Sequence, residues 1–356
     1  MSILEDTRVL ITGATGSLGK AILRRLLTGE MGRVRRLILF SRDEAKQHDL
    51  RLELLRRRAA TDEVIYRDFE RRLEFRIGDV RDLHSVSAAA READVIFHAA
   101  ALKQVPTCER FPYEAVRTNI EGAENLVRAI REHRIPVRTV VGISTDKACK
   151  PVNVMGMSKA IQERLLLRAS LDCPDTRFLC VRYGNVLASR GSVIPLFLEQ
   201  IRAGGPVTLT TPEMTRFLLS LDEAVDTVFA AVREGKSGET FVPRLPSARI
   251  SDVAEVLIDG RPIRTECTGI RPGEKVHEIL ISEEERSRTI ARAAHYVIRS
   301  ILPELSGGVG DEGEPALQRE YCSADHVLTR DQVRELLRTH GLLEAAASSP
   351  SRRAGM

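Results

Sequence analysis

Short apolar runs alternate with longer amphipathic stretches through the first half of this chain. Arg8-Val9-Leu10-Ile11, Arg36-Leu37-Ile38-Leu39-Phe40, Leu73-Glu74-Phe75-Arg76-Ile77, Val95-Ile96-Phe97-His98-Ala99-Ala100-Ala101, Thr139-Val140-Val141-Gly142-Ile143 and Phe178-Leu179-Cys180-Val181-Arg182-Tyr183 read as strands. Leu18, Ile22, Leu23, Leu26 and Leu27 recur at helical spacing after the first run, and a second clear helix starts near Val154 and ends near Leu171. Strands alternating with helices predict an α/β chain built as a Rossmann-type, doubly wound parallel sheet. Residues 44 to 72 are rich in Arg and Leu and read as one or two surface helices, because Glu53, Asp62, Glu63, Asp68 and Glu70 dilute the positive charge.

After Tyr183 the pattern changes to loops with isolated cations. The expected division is a dinucleotide-binding domain over residues 1–183 and a smaller C-terminal substrate-binding lobe over 184–344, with some of its segments returning to the first domain. Ser306 to Pro315 is Gly-rich and acidic, a flexible excursion, and residues 345–356 are small and polar and read as a disordered tail.

Composition narrows the classes of function. The 356 residues, 43% of them hydrophobic, fill a large core without staples. The net charge of +4 is spread among interleaved acids and bases, which suits an anionic small molecule, and no nucleic-acid recognition motif accompanies it. Six cysteines without paired metal spacing point to reduced thiols in a cytoplasmic protein with no metal site. No apolar run reaches membrane-spanning length, and Glu5 and Asp6 stand where a signal peptide would be basic and then apolar.

The candidate chemistry begins at Thr12-Gly13-Ala14-Thr15-Gly16-Ser17-Leu18-Gly19, between a strand and a helix. Glycines let a pyrophosphate approach the backbone, and the helix start offers free amides. A tight connection without a ligand is the plainer reading. The second strand ends in Ser41-Arg42-Asp43-Glu44 with Lys46 behind it; a hydroxyl and a guanidinium there suit the 2′-phosphate of NADP, while Asp43 keeps NAD open and a solvated charge cluster remains the alternative. Asp79-Val80 after the third strand is a second cofactor contact or a helix cap. Ala99, Ala100 and Ala101 are small enough to let a cofactor lie close, His98 reads as packing, and Lys103 follows where a substrate reaches. Asn119 is either a brace of the active-site strands or ordinary helix packing.

The fifth strand delivers Ser144-Thr145-Asp146-Lys147, and Lys159 lies one helical turn after Met155, on the same helix face. That puts an acid and two amines at the carboxyl end of a strand, where open α/β sheets bind ligands. An idle loop ion pair is the bland alternative. The later segments Tyr183-Gly184-Asn185, Ser192-Val193, Arg216, Arg249 and Arg271-Pro272-Gly273-Glu274-Lys275 are composed like a lid for a polyanion, since Arg forks grip diphosphate oxygens.

Taken together, Ile11 to Gly19, Ser41 to Glu44, Gly78 to Asp82, Ala99 to Cys108, Ser144 to Lys159, Arg182 to Pro195, Met214 to Leu221 and Gly269 to Glu278 resemble the inverting UDP-N-acetylglucosamine 4,6-dehydratases of capsule and flagellin-glycan pathways, within the extended short-chain dehydrogenase/reductases. The glycine turn here, Gly-x-x-Gly-x-x-Gly, is of the superfamily's kind. The resemblance implies NADP, contacted by Gly13, Thr15, Gly16, Ser17, Leu18, Gly19, Ser41, Arg42, Lys46, Asp79, Val80, Ala99, Ala100, Ala101, Lys103, Asn119, Lys159, Tyr183 and Asn185. It implies a UDP-sugar held by Lys103, Asn185, Ser192, Val193, Arg216, Arg249, Arg271 and Glu274. Lys147 is then the base and Asp146 the acid, with Thr145 on the sugar hydroxyl and Lys159 on the nicotinamide ribose. That assignment requires a neutral Lys147 and a protonated Asp146, and burial is expected to drive both that way against their mutual attraction. Met155 stands where the superfamily has a catalytic Tyr; a thioether is no base, and the chain is similar to the subset with Met there. A UDP-sugar 4-epimerase and a non-catalytic nucleotide-sugar sensor are the competing functions. The relatives' habit implies a homo-oligomer, a hexamer or a dimer.

Overall fold

The computed structural model describes residues 2–58, 71–187, 192–305 and 314–343. Expectations on residues 59–70, the greater part of the 306–315 excursion and the 345–356 tail lie outside the described residues. Among the described residues the central sheet has nine strands. The first six, β1 (Arg8–Thr12), β2 (Arg36–Ser41), β3 (Leu73–Ile77), β4 (Val95–His98), β5 (Thr139–Ile143) and β6 (Arg177–Val181), run parallel in the spatial order 3-2-1-4-5-6. Thr240–Pro243 adds parallel to β6, and His295–Ile298 and Thr289–Arg292 extend that edge antiparallel.

Side chains on successive strand positions point to opposite faces, and each face is sealed by its own core. Val9 and Ile11 of β1, with Leu37 and Leu39, join a core with Ile22 and Leu26 of α1 (Ser17–Leu27) and with Val228 and Phe229 of the helix Leu221–Glu234. Leu10, Ile38, Ile96 and Val140 face the other way, onto Leu126 and Ile130 of the helix Gly122–Glu132 and Leu166 of the helix Val154–Asp172. Both faces of the sheet are therefore dry, as parallel sheets require.

The smaller lobe has a core of its own, in which Phe197, Leu198, Val253, Leu257, Val333 and Leu337 are buried. It carries a three-stranded sheet in which Thr215–Leu219 lies between Ser247–Arg249 and Asn185–Val186. The strand boundaries differ slightly from the pattern-based ones. β4 ends at His98 and β6 at Val181, so Ala99 to Ala101 and Arg182 to Tyr183 are loop residues beyond the sheet. No helix among the described residues is long and apolar enough to cross a membrane.

Candidate active site

The carboxyl ends of β1, β2, β4, β5 and β6 open into one cavity of about 1090 Å³ that continues under the smaller lobe. Gly13, Thr15, Gly16, Ser17, Leu18 and Gly19 form one wall, and Ala99, Ala100 and Ala101 face it. Gly13 has φ +69°, and a Cβ there would stand 2.8 Å from the backbone of Ala99 and Ala100; one on Gly19 would stand 2.6 Å from the Gly13 carbonyl oxygen. The turn therefore holds only because these side chains are absent. α1 starts at Ser17 with Gly16 as an N-cap that offers no side-chain bond, so its first amides are left to a ligand. An uncapped helix start on a cavity fits the pyrophosphate of a dinucleotide.

Ser41, Arg42 and Lys46 line the end of the cavity beside β2. Gln47 Nε2 donates to the Ser41 carbonyl and hydroxyl and to Arg76 O, which fixes the rim. Arg42 lies 3.6 Å from Asp79, and Lys46 bonds Asp43 at 2.5 Å. Asp79 itself bonds Arg81 and Val80 is the one that faces the cavity, so the expected Asp79 contact belongs to a rim ion pair instead. The neighbouring Asp82 caps the helix Leu83–Ala90.

The second half of the cavity is built from the end of β5. Ser144 N donates to Val181 O and Asp146 N to Tyr183 O, which ties the loop to the segment after β6. Thr145 caps the single 3₁₀ turn Asp146–Ala148, and its hydroxyl donates to Asp146 Oδ1 at 2.8 Å. Lys147 Nζ lies 3.0 Å from Asp146 Oδ1 and 3.2 Å from Glu278 Oε1. Asp146 and Glu278 are buried, while the Lys147 side chain is 24% exposed toward the cavity. Asp146 Oδ2 and Glu278 Oε2 are buried and have no hydrogen-bond partner.

Burial pulls Lys147 toward the neutral amine, but the negative charges of Asp146 and Glu278 outweigh it, and its pKa is raised. The expectation of a lowered Lys147 is thus corrected: in the ligand-free protein the ammonium is held between two carboxyl groups. The positive charge of Arg216 adds to burial in opposing them.

The helix Val154–Asp172 presses on this loop. A Cβ on Gly156 would come within 2.2 Å of the Lys147 carbonyl oxygen. Asn153 caps the helix through Gly156 N and donates to Gly273 O at 2.7 Å, linking the helix start to the smaller lobe. Met155 lines the cavity edge and packs with Cys108 and Ala115 in a small apolar cluster. Lys159 Nζ donates to Ile143 O and to Gln162 Oε1, and burial lowers its pKa to about 8. Asn119 is fully buried in a π-helical turn, Val116–Glu121, and its amide binds Leu102 N, Leu102 O and Ser158 Oγ. It braces the β4 end against the Lys159 helix and does not line the cavity, a correction to its expected cofactor contact. His98 bonds Thr12, and burial lowers its pKa to about 3, a neutral packing residue.

Lys103 reaches the cavity from the loop after β4, and from the lobe side come Asn185, Ser192, Val193, Arg216, Arg271 and Glu274. Asn185 Oδ1, Ser192 Oγ and Glu274 Oε2 are buried without partners, as polar atoms awaiting a ligand are. Tyr183 lines the same space, its pKa raised by burial. Arg216 donates to Thr215 O, Val276 O and Lys275 O, so much of its fork is committed to holding the 275–276 segment. Arg249 does not reach the cavity; its side chain is 56% exposed and lies 3.8 Å from Asp252, and its neighbour Ile250 lines the wall instead. Sequence reasoning missed Glu278 as a site residue. Glu278 closes the Gly269 to Glu278 stretch, but nothing local marks it as a partner of Lys147.

A doubly wound sheet with the glycine turn after β1 and a polar loop after β5 over a smaller lobe is the extended short-chain dehydrogenase/reductase fold. The chain belongs to the polysaccharide biosynthesis protein family, whose model matches residues 9–300. A protein named UDP-glucose 4-epimerase from Rickettsia conorii is 42% identical over 343 residues, covering 94% of this chain and 96% of its own. The X-ray structure of Pen from Bacillus thuringiensis is 33% identical with a TM-score of 0.83, over 95% of this chain and 99% of that one. The fold is shared at 21% identity by a dTDP-glucose 4,6-dehydratase from Streptomyces venezuelae with NAD bound, TM-score 0.63, over 76% of this chain and 86% of that one.

Proposed function

We propose that this protein is a 5-inverting UDP-N-acetylglucosamine 4,6-dehydratase that uses NADP. The observation that carries the reading is the Asp146–Lys147 pair at the end of β5, which lines the cavity and leaves Asp146 Oδ2 without a hydrogen-bond partner. NADP supplies hydride acceptance from carbon 4 of the sugar and its return to carbon 6. The glycine turn and α1 amides hold its pyrophosphate, Ser41 and Arg42 its 2′-phosphate, and Lys159 its nicotinamide ribose.

Oxidation at carbon 4 makes a ketone that acidifies the carbon 5 proton. Lys147 takes that proton, Asp146 gives one to the hydroxyl leaving carbon 6 as water, and reprotonation of carbon 5 from the other face inverts it. Asp146 receives its acid proton from the carbon 4 hydroxyl; once that carboxyl group is neutral, Lys147, 3.0 Å away, releases its own proton to solvent and becomes the neutral amine this needs, and solvent supplies the proton that returns to carbon 5. A sugar that displaces water lowers the local dielectric, which favours that neutral pair. The initial hydroxyl proton leaves through Thr145 to Asp146, along a chain already hydrogen bonded at 2.8 Å.

A UDP-sugar 4-epimerase is the second reading, favoured by the name of the Rickettsia relative. Epimerisation needs no acid for a leaving group, so it leaves Asp146 without a task. Incubation with UDP-N-acetylglucosamine in heavy water separates the readings. Dehydration gives a product lighter by one water apart from the label, with solvent deuterium at carbon 5 and inverted configuration by NMR. Unchanged mass with inversion at carbon 4 supports the epimerase, and binding without turnover supports a sensor. We place the reaction in the cytoplasm, where its nucleotide substrates are made, and in a homo-oligomer.

A further inference from the structure

Lys147 has two carboxyl partners, and the chemistry above uses one. Glu278 comes from the segment that leads into the strand Ile279–Ile281, which packs on the Asp146–Ala148 turn. Its side chain is buried, Oε1 lies 3.2 Å from Lys147 Nζ, and Oε2 has no hydrogen-bond partner. Two further cations border it, Arg216 at 3.8 Å and Lys275 at 4.0 Å. Lys275 is anchored through Nζ to Cys149 O at 2.6 Å, and Arg216 through three backbone carbonyls. Glu278 N and O are pinned by Ser323, so the carboxyl group is delivered by fixed backbone. A buried carboxyl group on the cavity wall, with one oxygen lacking a hydrogen-bond donor and the other held this firmly against the reactive amine, is more than a packing device.

We propose that Glu278 is a positioning residue for Lys147, clamping the ammonium from the side away from Asp146 and holding its charge in the ligand-free protein. Asp146 on its own turn and Glu278 on the returning segment contact Lys147, and Lys275 on that segment and Arg216 on the strand Thr215–Leu219 lie against Glu278. Lys159, on the helix packed against the turn, points to Ile143 O and Gln162, and His277 is bonded to Thr215. The direction of the Lys147 shift agrees, with Glu278 the second charge that raises it. Glu278 thus sets how readily the amine becomes a base, and Lys275 and Arg216 temper it. The catalytic consequence rests on the dehydratase reading; the charge control does not.

The test therefore has an arm without substrate. Purified wild-type protein and Glu278→Gln are pulsed with acetic anhydride at about pH 8, and acetylation of Lys147 is followed by peptide mass spectrometry against the other lysines. An opposite charge within contact distance shifts a pKa by about 1–3 units, so Lys147 in Glu278→Gln should acetylate roughly 10- to 1000-fold faster. Lys275→Met tests the opposite sign and does not depend on the first variant folding: with that cation gone, Lys147 should acetylate more slowly. An unchanged or slower Lys147 in folded Glu278→Gln, or an unchanged or faster one in Lys275→Met, overturns the proposal. In the turnover arm, the rising limb of the pH–rate profile moves to lower pH in Glu278→Gln and returns toward wild type in Glu278→Asp, which a merely structural role would not do. If the acetylation rates move as expected and no variant turns over a UDP-sugar, the dehydratase reading fails while the role of Glu278 stands.

Discussion

Arg182 and Lys147 are both cations set between two buried carboxyl groups just past the ends of neighbouring strands, β6 and β5. Arg182 uses every donor it has: Nε and Nη2 on Glu163, Nη1 and Nη2 on Glu285, and Nη1 again on Leu280 O, at 2.6 to 3.1 Å. Around Lys147 the acceptors are incomplete, with one oxygen of Asp146 and one of Glu278 left open. The first cluster is sealed and bolts the helix Val154–Asp172 to the segment around Glu285; its carboxyl group at Glu285 is held down at about 2, burial opposing and Arg182 prevailing. The second faces the cavity unfinished. Complete satisfaction marks a structural network, and unsatisfied polar atoms beside a ligand space mark a working one.

That contrast is broken most directly by isosteric change. Asp146→Asn keeps the shape of the carboxyl group and should lower turnover of the proposed substrate by roughly 10²- to 10⁴-fold, the usual worth of a general acid, while chemical denaturation shows stability within about 1 kcal/mol of wild type. Arg182→Met should do the reverse. It leaves Glu163 and Glu285 buried without their cation, a loss of about 3–5 kcal/mol in unfolding free energy. If Asp146→Asn unfolded the protein and Arg182→Met did not, the two clusters would have been read the wrong way round.

Lys159 lies between these cases, a buried amine with two neutral acceptors and no carboxyl group in contact. Burial lowers its folded pKa to about 8 from an ordinary 10.5. Between those values the unfolded chain binds more protons than the folded one, so stability rises with pH through that window. The expected gain is about 1–3 kcal/mol between pH 8 and 10.5 in ligand-free protein, absent in Lys159→Met and read by urea titration at several pH values. A wild-type curve parallel to that of the variant would show that the amine is solvated.

The sheet was largely legible because period-two burial and strand-end glycines are local properties: β1 to β6 lie within two residues of their apolar runs, except for the longer fourth run, which ends three residues early at His98. So was the Asp146–Lys147 loop, since the rule that ligands meet the carboxyl ends of strands needs only the strand. Glu278 was not. Its distance to Lys147 is made by the chain returning from the smaller lobe, and no spacing in the sequence encodes that approach. Arg249 failed for the converse reason. An Arg beside the lobe strands has the right composition, but at the end of Ser247–Arg249 its side chain falls on the solvent side. The charge of Lys147 was misjudged because one carboxyl group was counted where there are two.

Met155 gives the smallest expected effect and the sharpest question about the site. Its side chain packs against Cys108 and Ala115, next to the brace formed by Asn119 and Ser158, whose hydroxyl donates to Met155 O at 2.8 Å. A thioether neither gives nor takes a proton, so in this reading the position shapes the cavity wall and the proton route runs through Thr145 and Asp146. Met155→Leu conserves volume and polarity, so it should cost less than about 1.5 kcal/mol in stability and change turnover less than about tenfold. Thr145→Val, by contrast, removes the hydroxyl that bonds Asp146 and should lower turnover far more than it lowers stability. Should Met155→Leu prove the more damaging of the two, the route through Thr145 fails, and the first proton must leave by another path.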